Sequence, residues 1–269
     1  MSGFVRHGFD LARTLMENLP IPAATLILMR PRPGLPPELL MVERSSEMVF
    51  AAGAMVFPGG RIDPGDHVLA AAEAQRSGLD AEDAAARIAA IRETIEETGI
   101  AVGIDPVPSI DTLIALRAAL RDGADFGALL ARHGLALDSA RLAPFARWCP
   151  PGRLEKRIFD TRFYVAEAPQ ESEALADGGE SIRAIWLSAE DAIADADAGN
   201  HRIIFPTRRN LERLTRFASF AEAVADAAAI GIRLVMPRVE ERNGEPWLCI
   251  DDDLGYATTG EPLTTALRG

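Results

Sequence analysis

The sequence predicts an α/β fold: a mixed β-sheet sandwiched between helices, with helical insertions. Three observations lead there. Apolar runs of strand length recur along the chain, at 23–30, 39–44, 142–149 and 158–166. Alanine-rich segments of helical character stand between and after them. No internal repeat or low-complexity linker divides the 269 residues, so the chain reads as one domain spanning 1–269.

The elements follow in order. Residues 23–30 (AATLILMR) and 39–44 (LLMVER) form a hairpin around the Pro/Gly-rich turn PRPGLPPE. A third short strand, AMVF, breaks at Pro58-Gly59-Gly60. A helical insertion spans about 67–79 and ends near Gly78. Asp80 is the expected N-cap of the next helix, AEDAAARIAAIRETIEET, and Gly99 is its terminating glycine. A second helical insertion covers about 109–140. ESIRAIWL reads as a strand, three helices follow, and IRLVMPRV and PWLCI close the chain as strands. The part from about 200 onward is a C-terminal extension of helices and strands.

Composition narrows the function classes. With 28 Lys+Arg against 40 Asp+Glu, the net charge is -12, which disfavours nucleic acid and anionic membrane surfaces as partners. A phosphate-bearing substrate would need a local arginine cluster or a divalent cation between itself and this protein. Cys149 and Cys249 are far apart and form no C-x-x-C pair, which suits a reducing compartment. No signal-peptide pattern opens the sequence and no apolar stretch approaches membrane-span length, so a soluble cytoplasmic protein is expected. Oligomeric state cannot be read from the residues.

The chemistry is concentrated between Gly59 and Ile100. At about 100° per residue, Ala84, Ile88, Ile91 and Ile95 share one face of the helix. Glu93, Glu96 and Glu97 share nearly the opposite one. Three carboxylates within one turn repel each other, and they sit at the helix end where the dipole also disfavours them. A hard divalent cation would relieve that penalty. A solvated acidic surface is the ordinary alternative for such a face. The preceding segment, PGGRIDPGD, adds glycines that let backbone approach a ligand closely.

Taken together, FPGGRIDPGD and Arg92-Glu93-Thr94-Ile95-Glu96-Glu97-Thr98-Gly99-Ile100 resemble the Nudix box, G-x5-E-x7-R-E-U-x-E-E-x-G-U. Thr94 replaces the bulky aliphatic residue U, and Asp66 stands at the first Glu position. Residues 67–91 separate Asp66 from Arg92 where the motif has seven, an insertion of 18 residues that leaves Asp66 without an assigned role. The interrupted box, RIFDTRFYVAEAP, and the C-terminal FPTRRNLERL and MPRV segments resemble the coenzyme A diphosphatase branch of the superfamily.

The resemblance implies the Nudix fold and hydrolysis of a nucleoside diphosphate linked to another group. CoA or acyl-CoA is the favoured substrate, with ADP-ribose or NADH as alternatives. It implies Glu93, Glu97 and Glu96 as ligands of Mg²⁺ (or Mn²⁺), with Gly59 or Gly60 supplying a carbonyl. Glu96 is a further ligand or the water-activating base, and Arg92 is expected to pair with Glu96 one turn on. Gly60, Arg153, Arg157, Arg162 and Glu180 are the candidates for substrate binding. Ion pairs of the arginines with Glu155 and Asp160, and a plain surface-loop position for Glu180, are the competing readings. A Nudix-fold sensor without catalysis is a further alternative, against which the intact Glu93, Glu96 and Glu97 weigh.

Overall fold

The computed structural model describes residues 19–45, 51, 53–150, 158–169, 174 and 181–266, with only the backbone at 181 and 182. The strands are β1 (Ile21–Arg32), β2 (Leu35–Arg44), β3 (Met55–Val56), β4 (Gly59–Arg61), β5 (Ile104–Asp105), β6 (Ala136–Leu137), β7 (Ala143–Trp148), β8 (Phe159–Glu167), β9 (Ser181–Ser188), β10 (Leu234–Val235), β11 (Arg238–Arg242), β12 (Glu245–Cys249) and β13 (Gly260–Pro262). The helices are α1 (Pro64–Ser77), α2 (Ala81–Thr98), α3 (Ile110–Arg121), α4 (Phe126–His133), α5 (Ala189–Asp197), α6 (Phe205–Leu214), α7 (Phe220–Ile230) and α8 (Leu263–Ala266).

The main sheet is mixed. Its strand order is β10-β7-β8-β1-β2-β3, with β4 paired to β1 and β9 to β2. β1 runs parallel to β8 and antiparallel to β2. Alternation along β1 divides the core into two layers. Ala24, Leu26 and Leu28 pack with α2, Leu116 and Leu120 of α3, and Leu129 and Leu130 of α4. Ile27 and Met29 pack on the opposite side with Ala192 of α5, Leu211 and Leu214 of α6 and Ala227 of α7. The sheet is thus sandwiched between helices, as its alternating pattern predicts.

Some elements differ from the sequence reading. Gly59 and Gly60 form a strand rather than a turn, paired to Thr25 and Ala24. The first inserted helix begins at Pro64, three residues early, with proline in the first turn where its missing N–H costs nothing. The second insertion is helical only to His133. Gly134 then takes a left-handed conformation, φ 64°, and the short β6 and a 3-10 turn follow. IRLVMPRV is two strands, because Pro237 lacks the N–H that a continuous ladder needs. β10 stays in the main sheet, while β11 joins β12 and β13 in a separate sheet.

Candidate active site

The helix that carries the acidic turn is fixed at both ends. The Asp80 carboxylate accepts hydrogen bonds from the amides of Glu82 and Asp83, satisfying orphan donors of the first turn. Gly99 ends the helix at φ 70°, its N–H donating to the Ile95 carbonyl. Between them, α2 lies along the sheet over β1. Ile88, Ile91 and Ile95 are fully buried, and Glu93, Glu96 and Glu97 turn toward β4 and solvent.

β4 brings backbone up to those carboxylates. A Cβ on Gly60 would lie 2.4 Å from the carboxyl carbon of Glu93, so only glycine leaves room for that side chain. Gly59 sits at a non-hydrogen-bonded position of the β1–β4 ladder, since Leu26 donates to the Pro58 carbonyl and Ile62 to the Pro22 carbonyl. Its amide and carbonyl therefore both point away from β1. The amide donates to Glu97 Oε2 at 3.1 Å.

Arg92 sets the orientation of this face. Its Nε and Nη2 donate to the two oxygens of Asp66, at 3.0 and 2.8 Å. Its Nη1 donates to Glu93 Oε1 at 2.8 Å, and its Nη2 also reaches the Arg61 carbonyl at 3.0 Å. Glu96, the partner expected from helical spacing, is 4.0 Å away. The expected pair is present at that distance, but Asp66, which accepts from two of the guanidinium N–H groups, is the closer partner. Burial works against the Arg92 charge, but the Asp66 hydrogen bond and the Glu93 and Asp66 charges outweigh it and raise its pKa.

Glu93 is electrostatically strained. Burial pushes its carboxyl up to about 7; Arg92 opposes the shift, and the charges of Glu96 and Asp63 add to it. Glu97 is held by the Gly59 amide and, at 3.9 Å, by Arg44 from the end of β2. Among the described residues, the buried Arg44 Nε has no hydrogen-bond partner. Among the described residues, no three His, Cys, Asp or Glu side chains converge on one point ready to hold a metal ion. The donors on this turn are nonetheless hard carboxylate oxygens, beside a glycine carbonyl directed away from its ladder. That chemistry fits Mg²⁺ or Mn²⁺ once the side chains gather.

No protein-family model matches the chain. A search of curated proteins finds acyl-coenzyme A diphosphatase NUDT19 of Gallus gallus, 30% identical over 234 residues; the alignment covers 68% of this chain and 62% of that protein's length. Among solved structures, a NUDIX hydrolase from Alicyclobacillus acidocaldarius superposes with a TM-score of 0.67 at 29% identity, covering 77% of this chain and 96% of that one. The chain is a Nudix-superfamily protein. It resembles the CoA diphosphatase branch.

Within the Nudix box, the structure brings Arg92, Glu93, Glu97, Gly59 and Gly60 together, with Glu96 alongside. The substrate candidates are more scattered. Arg162 of β8 is in register with Ala24 of β1, which is in register with Gly60. It therefore faces the same side as Glu93, about 10 Å from Gly60 at two strand spacings. Among the described residues it forms an ion pair with Asp83, at 3.8 Å. Asp160, the partner weighed for it, instead binds Arg147 through two hydrogen bonds of 2.8 and 2.6 Å. Arg153, Arg157 and Glu180 lie outside the described residues. Sequence reasoning missed Arg44, whose only signal is its place at the end of a strand. It also missed Arg117 of α3, which donates to the carbonyls of Glu96 and Glu97.

Proposed function

We propose that this chain, folded as a single Nudix domain, is a metal-dependent hydrolase of a nucleoside diphosphate linked to another group, and that CoA or acyl-CoA is its substrate. The observation that carries the reading is the turn of Glu93, Glu96 and Glu97 facing Gly59-Gly60, with the Glu93 carboxyl held at about 7. Burial, with the charges of Glu96 and Asp63, outweighs Arg92 there, and a divalent cation would relieve that strain. The 30% identity to an acyl-coenzyme A diphosphatase supports the choice of CoA over other diphosphates.

When bound, Mg²⁺ or Mn²⁺ neutralises phosphate charge and lowers the pKa of bound water. The remaining roles belong to the chain. Glu93 and Glu97 hold the cation, with Glu96 and the Gly59 carbonyl as further oxygen donors. Glu96 is the most solvent-accessible of the three, 29% against 17% for Glu93 and 4% for Glu97. It is therefore the best placed to accept a proton from attacking water. Arg92, locked by Asp66, aims Glu93. In a protein of net charge -12, Arg153, Arg157 and Arg162 are the cations for phosphate outside the scissile bond, and Glu180 is a further polar contact.

Two free, buried thiols, Cys149 and Cys249, suit the cytoplasm, and among the described residues no helix is long and apolar enough to cross a membrane. The test is a panel of CoA, an acyl-CoA, ADP-ribose and NADH with Mg²⁺, scored by conversion of the diphosphate into two phosphomonoester products. Preferred turnover of the CoA compounds supports the reading. Preference for ADP-ribose or NADH would overturn the substrate, and no turnover of any would overturn the activity.

A further inference from the structure

We infer that Arg117, delivered by the second insertion, is a positioning residue that fixes the carboxylate-bearing turn of α2 for cation binding. This rests on the proposal that Glu93, Glu96 and Glu97 hold a divalent cation.

A helix leaves its last four carbonyls without intrahelical partners. In α2 the Ile95 carbonyl is taken by the Gly99 amide. The next two are taken by Arg117: Nε donates to the Glu96 carbonyl at 3.0 Å and Nη2 to the Glu97 carbonyl at 2.9 Å. One planar guanidinium thus holds the backbone of two residues whose side chains are proposed ligands. The Arg117 stem runs over Gly99, where a Cβ would lie 3.6 Å from Arg117 Cδ, an ordinary contact. Leu116 and Leu120, fully or nearly buried, anchor α3 in the same core as Ile91 and Ile95. The insertion is therefore rigidly tied to the turn it touches.

Physical necessity points the same way. This turn combines three like charges with the negative end of the helix dipole, and both favour fraying. Arg117 answers each with a positive charge and two charge-assisted hydrogen bonds. Removing it has opposing consequences for cation uptake. Losing a positive charge strengthens attraction for a cation, while loosening the turn costs convergence of the ligands. At a partly exposed site salt screens the first effect, whereas the hydrogen bonds are local and short, so the loosening dominates.

The experiment titrates Mn²⁺ into the metal-free full-length chain and follows free Mn²⁺ by electron paramagnetic resonance, at a temperature well below unfolding. Arg117→Met is expected to bind Mn²⁺ at least fivefold more weakly than the unmodified chain, and Arg117→Lys to recover part of the loss. Unchanged or tighter binding by folded Arg117→Met overturns the inference, whatever its melting temperature, because a merely structural arginine would shift stability alone. Should Arg117→Met not fold, Arg117→Gln against Arg117→Lys carries the same comparison. Absence of Mn²⁺ binding by the unmodified chain overturns the cation reading itself and this role with it. Equal affinities where the unmodified chain does bind overturn only the role of Arg117.

Discussion

Asp66 and Arg92 lie 26 residues apart in sequence and meet through two hydrogen bonds of 3.0 and 2.8 Å. Asp66 stands eleven residues before the end of α1, and Arg92 eleven after the start of α2. The path out along the first helix, about 16 Å at 1.5 Å per residue, is matched by the return along the second. A split motif is thereby rejoined without loss of contact. Asp66 is 1% exposed, and its Oδ2 also accepts from the Asp63 amide at 2.8 Å.

Breaking that pair leaves a buried guanidinium with too little compensation. Asp66→Asn is expected to lower stability by about 3 kcal/mol, the cost of orphaning one partner of a buried ion pair. It should also cut turnover, since Arg92 no longer has a fixed base from which to aim Glu93. Denaturant unfolding and steady-state kinetics check both parts. A wild-type midpoint would show that Asp66 does not restrain Arg92.

The two glycines of β4 separate stability from activity. On Gly60, the three atoms nearest an added methyl all belong to the Glu93 carboxyl group, the tip of a side chain that can swing away. Gly60→Ala should therefore fold with a small cost and lose turnover on the order of 10²-fold. On Gly59, the same methyl meets the Ala24 carbonyl oxygen at 2.4 Å and Thr25 Cα at 2.7 Å. Backbone cannot swing away, so Gly59→Ala should lose about 2 kcal/mol of stability. Reversal of the two patterns would contradict the packing described for β4.

Much of this was legible in the residues. The alternation of Leu26 and Leu28 against Ile27 and Met29 announces a strand buried on both faces. Asp80 and Gly99 announce the ends of α2, and the spacing of Glu93, Glu96 and Glu97 announces their shared face. What stayed hidden depends on contacts distant in sequence. The interrupted motif gives Asp66 no helical or strand spacing to Arg92. Gly59 and Gly60 have no side chains to betray a strand: Gly60 leaves room for the Glu93 carboxylate, and Gly59 for the close approach of β1 backbone. Arg117 reaches backbone carbonyls, a target that leaves no pattern in side-chain chemistry.

Glu93 predicts a pH dependence in the metal-free protein. Its folded pKa, about 7, lies above the ordinary value of 4.5. Between those values the folded state binds more protons than the unfolded state, so stability falls as pH rises from about 4.5 to about 7. Glu93→Gln removes this contribution. Unfolding series in EDTA across that window should show a downward slope in the unmodified chain that is shallower in the variant. Parallel slopes would remove the electrostatic strain assigned to Glu93.

The basic segment before β8 gives a kinetic test of substrate contacts. If Arg157 meets a phosphate outside the scissile diphosphate, Arg157→Ala raises KM for CoA with little change in kcat. Dephospho-CoA, which lacks the 3′-phosphate, should be nearly indifferent. Equal effects on the two substrates would exclude 3′-phosphate recognition by Arg157.

Cation binding by the Glu93–Glu97 turn in the service of phosphoanhydride cleavage depends above all on Glu97. It is 3% exposed, and its carboxylate takes the Gly59 amide. Glu97→Gln keeps its shape and removes one charge from a repelling set, so the fold should survive. Phosphorus-31 NMR of CoA with saturating Mg²⁺ follows loss of the diphosphate signals and growth of monophosphate signals. Conversion by the unmodified chain is expected, with arrest on adding EDTA and a rate at least about 10²-fold lower for Glu97→Gln. Conversion that persists in EDTA, or near-normal turnover by Glu97→Gln, would contradict it.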